Sequence, residues 1–125
     1  MSPESSDGRI QSYRDLNVWK LAMDLVVEVY AVSKLFPADE RFGLTAQVRR
    51  AAISVPCNIA EGHARSSRAE YRHFVNIARA SVAEVETELA IAERLGFVNA
   101  AILQGPLDHV ASISRMLTNL RRSLG

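Results

Sequence analysis

The sequence predicts an all-α fold, an up-down-up-down four-helix bundle that forms a single domain over residues 13–125. Apolar residues recur at spacings of three and four in four segments of similar length, and no segment alternates as a half-buried strand does. The connections between the segments are short, which favours antiparallel neighbours in a bundle. Residues 1–12 are rich in Ser, Gly and charge, and we expect them to form a disordered tail.

The first predicted helix runs from Asp15 to Phe36 and is closed by Pro37. It carries two apolar faces, Trp19, Met23, Val26 and Tyr30 on one and Val18, Leu21, Leu25, Val29 and Val32 on the other. A bundle helix needs one such face for its own core. The second face indicates either a wider core or self-association with closed symmetry, and we favour an oligomer interface at Val18, Leu21, Leu25, Val29 and Val32.

The second predicted helix begins near Gly43 and ends at Gly62, which takes the position of a C-terminal capping glycine. Pro56 lies inside this helix and is expected to bend it, because proline removes one backbone hydrogen bond. A polar stripe follows one side of the helix at Arg50, Ser54, Asn58 and Glu61. The stripe indicates a buried network that locks the helix against a neighbour, or the wall of a ligand pocket.

The last two helices have clear start signals. Ser67 and Glu70 fit a capping box at the start of the third helix, which ends at Gly96. The fourth helix is predicted to start near Asn99 and to be disturbed or restarted at Gly105–Pro106.

Composition excludes several classes of protein. The single cysteine, Cys57, has no partner for an internal disulfide and is expected to be a small buried hydrophobe, which together with the absence of a signal peptide predicts a cytoplasmic protein. The longest stretch without charged residues or histidine, Leu95–Leu107, has 13 residues. A membrane-spanning helix needs about 20, so no membrane partner is expected.

Arginine dominates the positive charge and is unevenly distributed. Of the 15 basic residues, 13 are arginine; residues 41–79 carry a net charge of +5 and residues 80–108 a net charge of −4. Arginines at the start of the third helix oppose its macrodipole, which favours a second role such as phosphate binding. The predicted nucleic-acid contacts are Arg49, Arg50, Arg65, Arg68, Arg72 and Arg79. Alternatively, these arginines pair with the acidic half of a neighbouring subunit or are simply solvated.

Catalytic and metal motifs are incomplete. Glu70 and His73 form one Glu-x-x-His pair, but a di-iron site in a bundle needs a second pair that the sequence lacks. Glu84, Glu86 and Glu88 are two residues apart and are expected to fan around the third helix as a solvated or interface face. We therefore expect no enzyme activity, no cofactor and no metal.

Several segments carry a family resemblance. The signature is the stretch QVRRAAISVPCNIAEG at Gln47–Gly62, flanked by Asp15–Trp19 before it and Glu84–Leu89 after it. Over residues 13–98 the chain resembles the four-helix-bundle family encoded in bacterial 23S ribosomal RNA intervening sequences. The resemblance implies a left-handed bundle assembled as a homopentamer, with a structural motif of Ser54, Pro56, Asn58, Glu61 and Gly62. The same family includes the accessory protein of diversity-generating retroelements, a basic pentamer that associates with a reverse transcriptase and nucleic acid.

The combined prediction is a non-enzymatic, oligomeric bundle protein that binds the backbone of RNA or DNA through its arginines. The alternative is a protein-interaction scaffold without a nucleic-acid role. The expected partners are other copies of the chain, RNA or DNA, and, as the resemblance implies, a reverse transcriptase or another protein.

Overall fold

A computed structural model describes residues 12–125 and confirms the all-α prediction. The four helices are α1 (Asn17–Ser33), α2 (Leu44–His63), α3 (Arg68–Arg94) and α4 (Ala100–Ser123). Two short 3-10 turns precede α1 and α2, and the described range contains no strand. Of the predicted tail only Ser12 lies within the described residues, where its hydroxyl accepts a hydrogen bond from the Arg14 amide. None of the helices within residues 12–125 combines the length and the hydropathy that a membrane-spanning segment needs.

Each helix packs against its neighbours in the chain, and α4 also packs against α1, which closes the bundle. Large side chains buried completely come from all four helices: Leu25 and Val29, Val48, Val55 and Ile59, Val75, Val85 and Leu89, Leu103, Ile113 and Leu117. Burying one such side chain contributes about 1.5–3 kcal/mol to folding. At the flank of this core, His109 Nδ1 lies 2.6 Å from Glu28 Oε1 and links α4 to α1.

The predicted oligomer interface on α1 is wrong. Val18, Leu25, Val29 and Val32 are buried in the chain's own core, and Leu21 packs partly against it. The other apolar face of α1 is only partly covered: Trp19 and Val26 pack against the edge of the core, while Met23 is 41% and Tyr30 37% exposed. Both faces have helical spacing, so periodicity alone could not show which of them turns inward.

The connection between α1 and α2 is fixed at both ends. Phe36 is buried, and its ring centroid lies 5.7 Å from that of Phe97. Glu40 Oε1 accepts a hydrogen bond from the Leu44 amide at 3.0 Å, which satisfies a free donor at the start of α2. The predicted end of the first helix at Phe36 is three residues too late, because α1 ends at Ser33 and Phe36 lies in the connection.

Helix α4 continues through Gly105–Pro106 without a restart, contrary to the prediction. Asn99 is its N-cap, as predicted, and the Asn99 side chain accepts a hydrogen bond from the Ile102 amide at 2.9 Å. Pro56 is likewise accommodated inside α2. Both prolines are buried, so their packing offsets the backbone hydrogen bond that each one removes.

Gly62 is not a capping glycine, because α2 continues to His63 and the φ angle of Gly62 is not positive. A Cβ atom at this position would lie 3.0 Å from both Phe74 Cβ and Tyr71 Cδ1, so Gly62 permits the close approach of α2 and α3. The capping glycine is Gly96, with a φ of 79°, which closes α3 as predicted.

Candidate nucleic-acid interface

One end of the bundle gathers arginines from three segments. Here α2 ends, α3 begins and α4 ends, because consecutive helices run antiparallel. We call this surface the basic end and define it by Arg65 in the α2–α3 connection, Arg68 and Arg72 in the first turns of α3, and Arg121 and Arg122 in the last turn of α4.

Two arginines of the basic end bind the terminus of α4. Arg68 Nη2 donates to the Ser123 carbonyl at 2.5 Å, and Arg72 Nη1 donates to the Leu124 carbonyl at 3.2 Å. Carbonyls at a helix C-terminus lack helical partners and carry partial negative charge. Arg68 and Arg72 therefore oppose the macrodipole of their own helix but are favourable at the end of its antiparallel neighbour.

Arg65 is held more loosely. Its Nη2 lies 2.8 Å from Glu61 Oε2, and its guanidinium sits 4.8 Å from the centre of the Phe74 ring. The two charged side chains are 40% and 50% exposed. An ion pair this exposed contributes about 1 kcal/mol or less, so an anionic ligand can compete with Glu61 for Arg65.

A groove of about 420 Å³ between α3 and α4 adds polar surface beside Arg122. Arg115, Thr118 and Asn119 also line it, and Glu86 is the carboxylate in its lining. Phosphate oxygens accept hydrogen bonds from guanidinium, hydroxyl and amide groups. Sequence reasoning missed Arg121 and Arg122, although two adjacent arginines at the end of an antiparallel helix are a usable signal.

The six arginines predicted as contacts do not form one surface. Arg49 Nε donates to Ser33 Oγ at 2.8 Å and its guanidinium lies 4.5 Å from the Tyr30 ring centre, so it fastens α2 to the end of α1. Arg49 lies about 21 Å along the helix axis from His63, the last residue of α2, and Arg65 follows that end. Arg79 is half-buried and donates to Asn76 at 3.3 Å. Only Arg65, Arg68 and Arg72 share the basic end.

The signature motif contains a small network between α2 and α3. The Ser54 and Ser81 hydroxyls lie 2.8 Å apart, and Asn58 Nδ2 donates to both the hydroxyl and the carbonyl of Ser54 at 2.8 Å. These contacts agree with a network that joins α2 to a neighbour. Glu61 lies outside it, paired with Arg65 on the surface.

Three other sequence expectations find an outcome here. Ser67 caps α3 by accepting from the Glu70 amide at 3.0 Å, while the Glu70 carboxylate accepts from the Ser67 hydroxyl at 3.2 Å rather than from its backbone. Cys57 is exposed rather than buried, because it faces a groove between α1 and α2. Glu88 is buried rather than solvated, at 9% exposure.

Within residues 12–125, no group of three or more His, Cys, Asp or Glu side chains is placed to hold a metal ion.

Burial also raises the pKa of Tyr71, which packs beside Gly62 where α2 and α3 approach each other. The His63 ring meets the Tyr71 ring edge-on, with 5.8 Å between centroids. This aromatic contact joins the end of α2 to the first turns of α3, beside Arg72.

Comparison with known proteins places the fold. The family model described as 23S rRNA-intervening sequence protein matches residues 14–119. Among solved structures, the chain is similar to a protein of unknown function from the S23 ribosomal protein family of Bacteroides thetaiotaomicron, with a TM-score of 0.77 and 21% identity. The match covers 83% of this chain and 97% of that chain, and at this identity it shows the fold alone. No curated protein matches.

Proposed function

This chain belongs to the 23S rRNA-intervening sequence protein family, and we propose that it is a non-catalytic protein that binds nucleic-acid phosphates through the basic end. The observation that carries the proposal is that α2, α3, α4 and the α2–α3 connection contribute five arginines but only two carboxylates, Glu61 and Glu70, to this end of the bundle. Arg68 and Arg72 are already oriented by the α4 carbonyls, so less side-chain entropy is lost when they meet a ligand. Backbone contacts of this kind do not select a sequence.

The test is a fluorescence-anisotropy titration with structured RNA and with duplex DNA at two salt concentrations. The variant R65E/R122E removes two exposed arginines that do not hold the end of α4. The control K34E/R94E makes the same charge change at exposed positions directly after α1 and at the end of α3, at the other end of the bundle.

We expect the affinity of wild type to fall steeply with salt, and R65E/R122E to bind at least about tenfold more weakly with a salt slope reduced by roughly two. K34E/R94E should keep the wild-type slope. Equal losses in both variants would mean that net charge, and not the basic end, determines binding. No binding by wild type at low salt would favour the scaffold function.

We also propose that the protein self-associates through the α1–α2 apolar face, as the homopentamer that the family resemblance implies. This face consists of Trp19, Met23, Val26, Tyr30, Phe42 and Ile53, which line two adjoining grooves between α1 and α2. Phe42 is 85% exposed, and contiguous exposed apolar surface favours a protein interface. The same face supports the alternative function, a scaffold for another protein.

Sedimentation velocity separates these possibilities. M23E/I53E places two charges in the centre of the α1–α2 apolar face, while I102E alters a comparably exposed residue on α4. We expect wild type and I102E to sediment as five copies of the 13.8 kDa chain and M23E/I53E as a smaller species. A variant that sediments like wild type would exclude this face as the interface.

A further inference from the structure

A second polar groove lies between α2 and α3, on the N-terminal half of α2 and away from the basic end. Its volume is about 210 Å³, and its lining comprises Gln47, Arg50, Ala51 and Ser54 of α2 with Ser81, Glu84 and Glu88 of α3. The Ser54–Ser81 hydroxyl contact closes one side of the groove. We call it the Glu88 groove.

Glu88 is the unusual residue of this groove. Its side chain is buried at 9% exposure, and its Oε1 has no hydrogen-bond partner among residues 12–125. A buried carboxylate oxygen without a partner is costly and rare in native proteins. Burial raises the pKa of Glu88, Glu84 raises it further, and Arg50 opposes both effects. Arg50 belongs to the Gln47–Gly62 stretch of α2, and Glu84 and Glu88 belong to the Glu84–Leu89 segment of α3, so the groove joins two of the segments that carry the family resemblance.

The charges in the groove leave room for a cation. Arg50 lines the groove but forms no ion pair within 4 Å with Glu84 or Glu88. Two carboxylates against one guanidinium leave a surplus of one negative charge. A single positive group at Glu88 Oε1 would satisfy the free oxygen and neutralise that surplus.

The groove also has an apolar extension. A neighbouring depression of about 340 Å³ shares Gln47, Glu84 and Glu88 with it and is otherwise lined by Ala80, Ala83, Thr87 and Ile91. Ile91 is 42% exposed. A polar groove joined to an open, mostly apolar depression fits a ligand with a charged head and an aliphatic stem.

We propose that the Glu88 groove binds an aliphatic guanidinium or ammonium group, with its head at Glu88 and Glu84 and its stem along Ala83 and Ile91. The Ser54 and Gln47 side chains supply further acceptors for the head. The group comes from a small molecule or from an arginine or lysine side chain of another copy of this chain. This proposal is independent of nucleic-acid binding at the basic end.

The test uses butylguanidinium as the probe and butylurea as its uncharged counterpart of the same shape, with saturation-transfer NMR on the full chain. We expect butylguanidinium to bind at least about tenfold more tightly than butylurea, and Glu88→Gln to abolish that preference. Glu86→Gln, at an exposed position on the same helix, should preserve it. Equal binding of both probes, no binding, or an unchanged preference in Glu88→Gln would overturn the proposal. The last two results are those expected if Arg50 turns inward to pair with Glu88.

Sedimentation of the same samples distinguishes the two sources. If another copy of the chain supplies the cation, butylguanidinium and Glu88→Gln should both shift the protein to a smaller species. If the ligand is a small molecule, the probe should bind without changing the sedimenting species. The preference for butylguanidinium supports the groove in either case.

Discussion

Arg68, in the first turn of α3, donates a hydrogen bond to the Ser123 carbonyl at the end of α4, 55 residues away in the sequence. Arg68 is unfavourable at the positive N-terminus of its own helix but favourable at the negative C-terminus of α4. It gives the basic end a structural role that must be separated from ligand binding.

Replacing Arg68 and Arg72 together with alanine should therefore lower stability as well as nucleic-acid affinity. Each arginine makes a charge-assisted hydrogen bond at a partly solvated site, so we expect a combined loss of about 1–2 kcal/mol in the free energy of unfolding. Urea denaturation measures this. Arg115→Ala, an exposed position on α4, should change stability by less than about 0.5 kcal/mol. If the double variant lost no more stability than Arg115→Ala, Arg68 and Arg72 would not stabilise the end of α4.

Gly62→Ala should destabilise the protein by about 1–3 kcal/mol, because the new Cβ would press on Tyr71 and Phe74 where α2 and α3 cross. The helix propensity of alanine offsets part of this cost. Gly105→Ala is the control, because its Cβ would lie 3.0 Å from only the flexible Glu28 carboxylate. Thermal denaturation of both variants should show a large loss for Gly62→Ala alone.

Glu88→Gln should stabilise the protein near neutral pH. The pKa of Glu88 is raised above its usual 4.5 by burial and by Glu84, so the folded state binds this proton more tightly than the unfolded state does. The stability of wild type therefore falls as the pH rises from about 4.5 through the raised pKa. Glutamine does not titrate and removes that loss.

Urea denaturation at pH 4 and pH 7 measures this effect. Glu88→Gln should exceed wild type in stability at pH 7 and approach it at pH 4. Glu86→Gln, which is exposed, should differ little from wild type at either pH. A Glu88→Gln advantage that is the same at both pH values would mean that packing, not titration, causes it.

Local signals in the sequence predicted the fold well. The caps at Ser67 and Asn99 and the left-handed glycine at Gly96 act within a few residues, so they located three helix ends. Gly62 was misread because a glycine that permits close helix packing and one that caps a helix look alike in sequence. Only the positions of Tyr71 and Phe74 distinguish them.

The candidate site was predicted only in part, because it depends on distances between helices. The charge pattern identified Arg65, Arg68 and Arg72 but also included Arg49, which lies at the other end of α2. Glu88 shares its acidic run with exposed glutamates, and its burial depends on the packing of α3 against α2. A single sequence shows neither the distance between Arg49 and the basic end nor the packing that buries Glu88.

The two apolar faces of α1 lead to opposite outcomes for two similar substitutions. Leu25 is completely buried in the core, so Leu25→Glu places an unpaired charge there and should cost at least about 4 kcal/mol, enough to unfold a marginally stable domain. Met23→Glu lies on the exposed α1–α2 apolar face and should leave the helical circular dichroism nearly unchanged. Circular dichroism of both variants checks this, with Ile102→Glu as the exposed control. A folded Leu25→Glu protein would mean that α1 turns its other face inward.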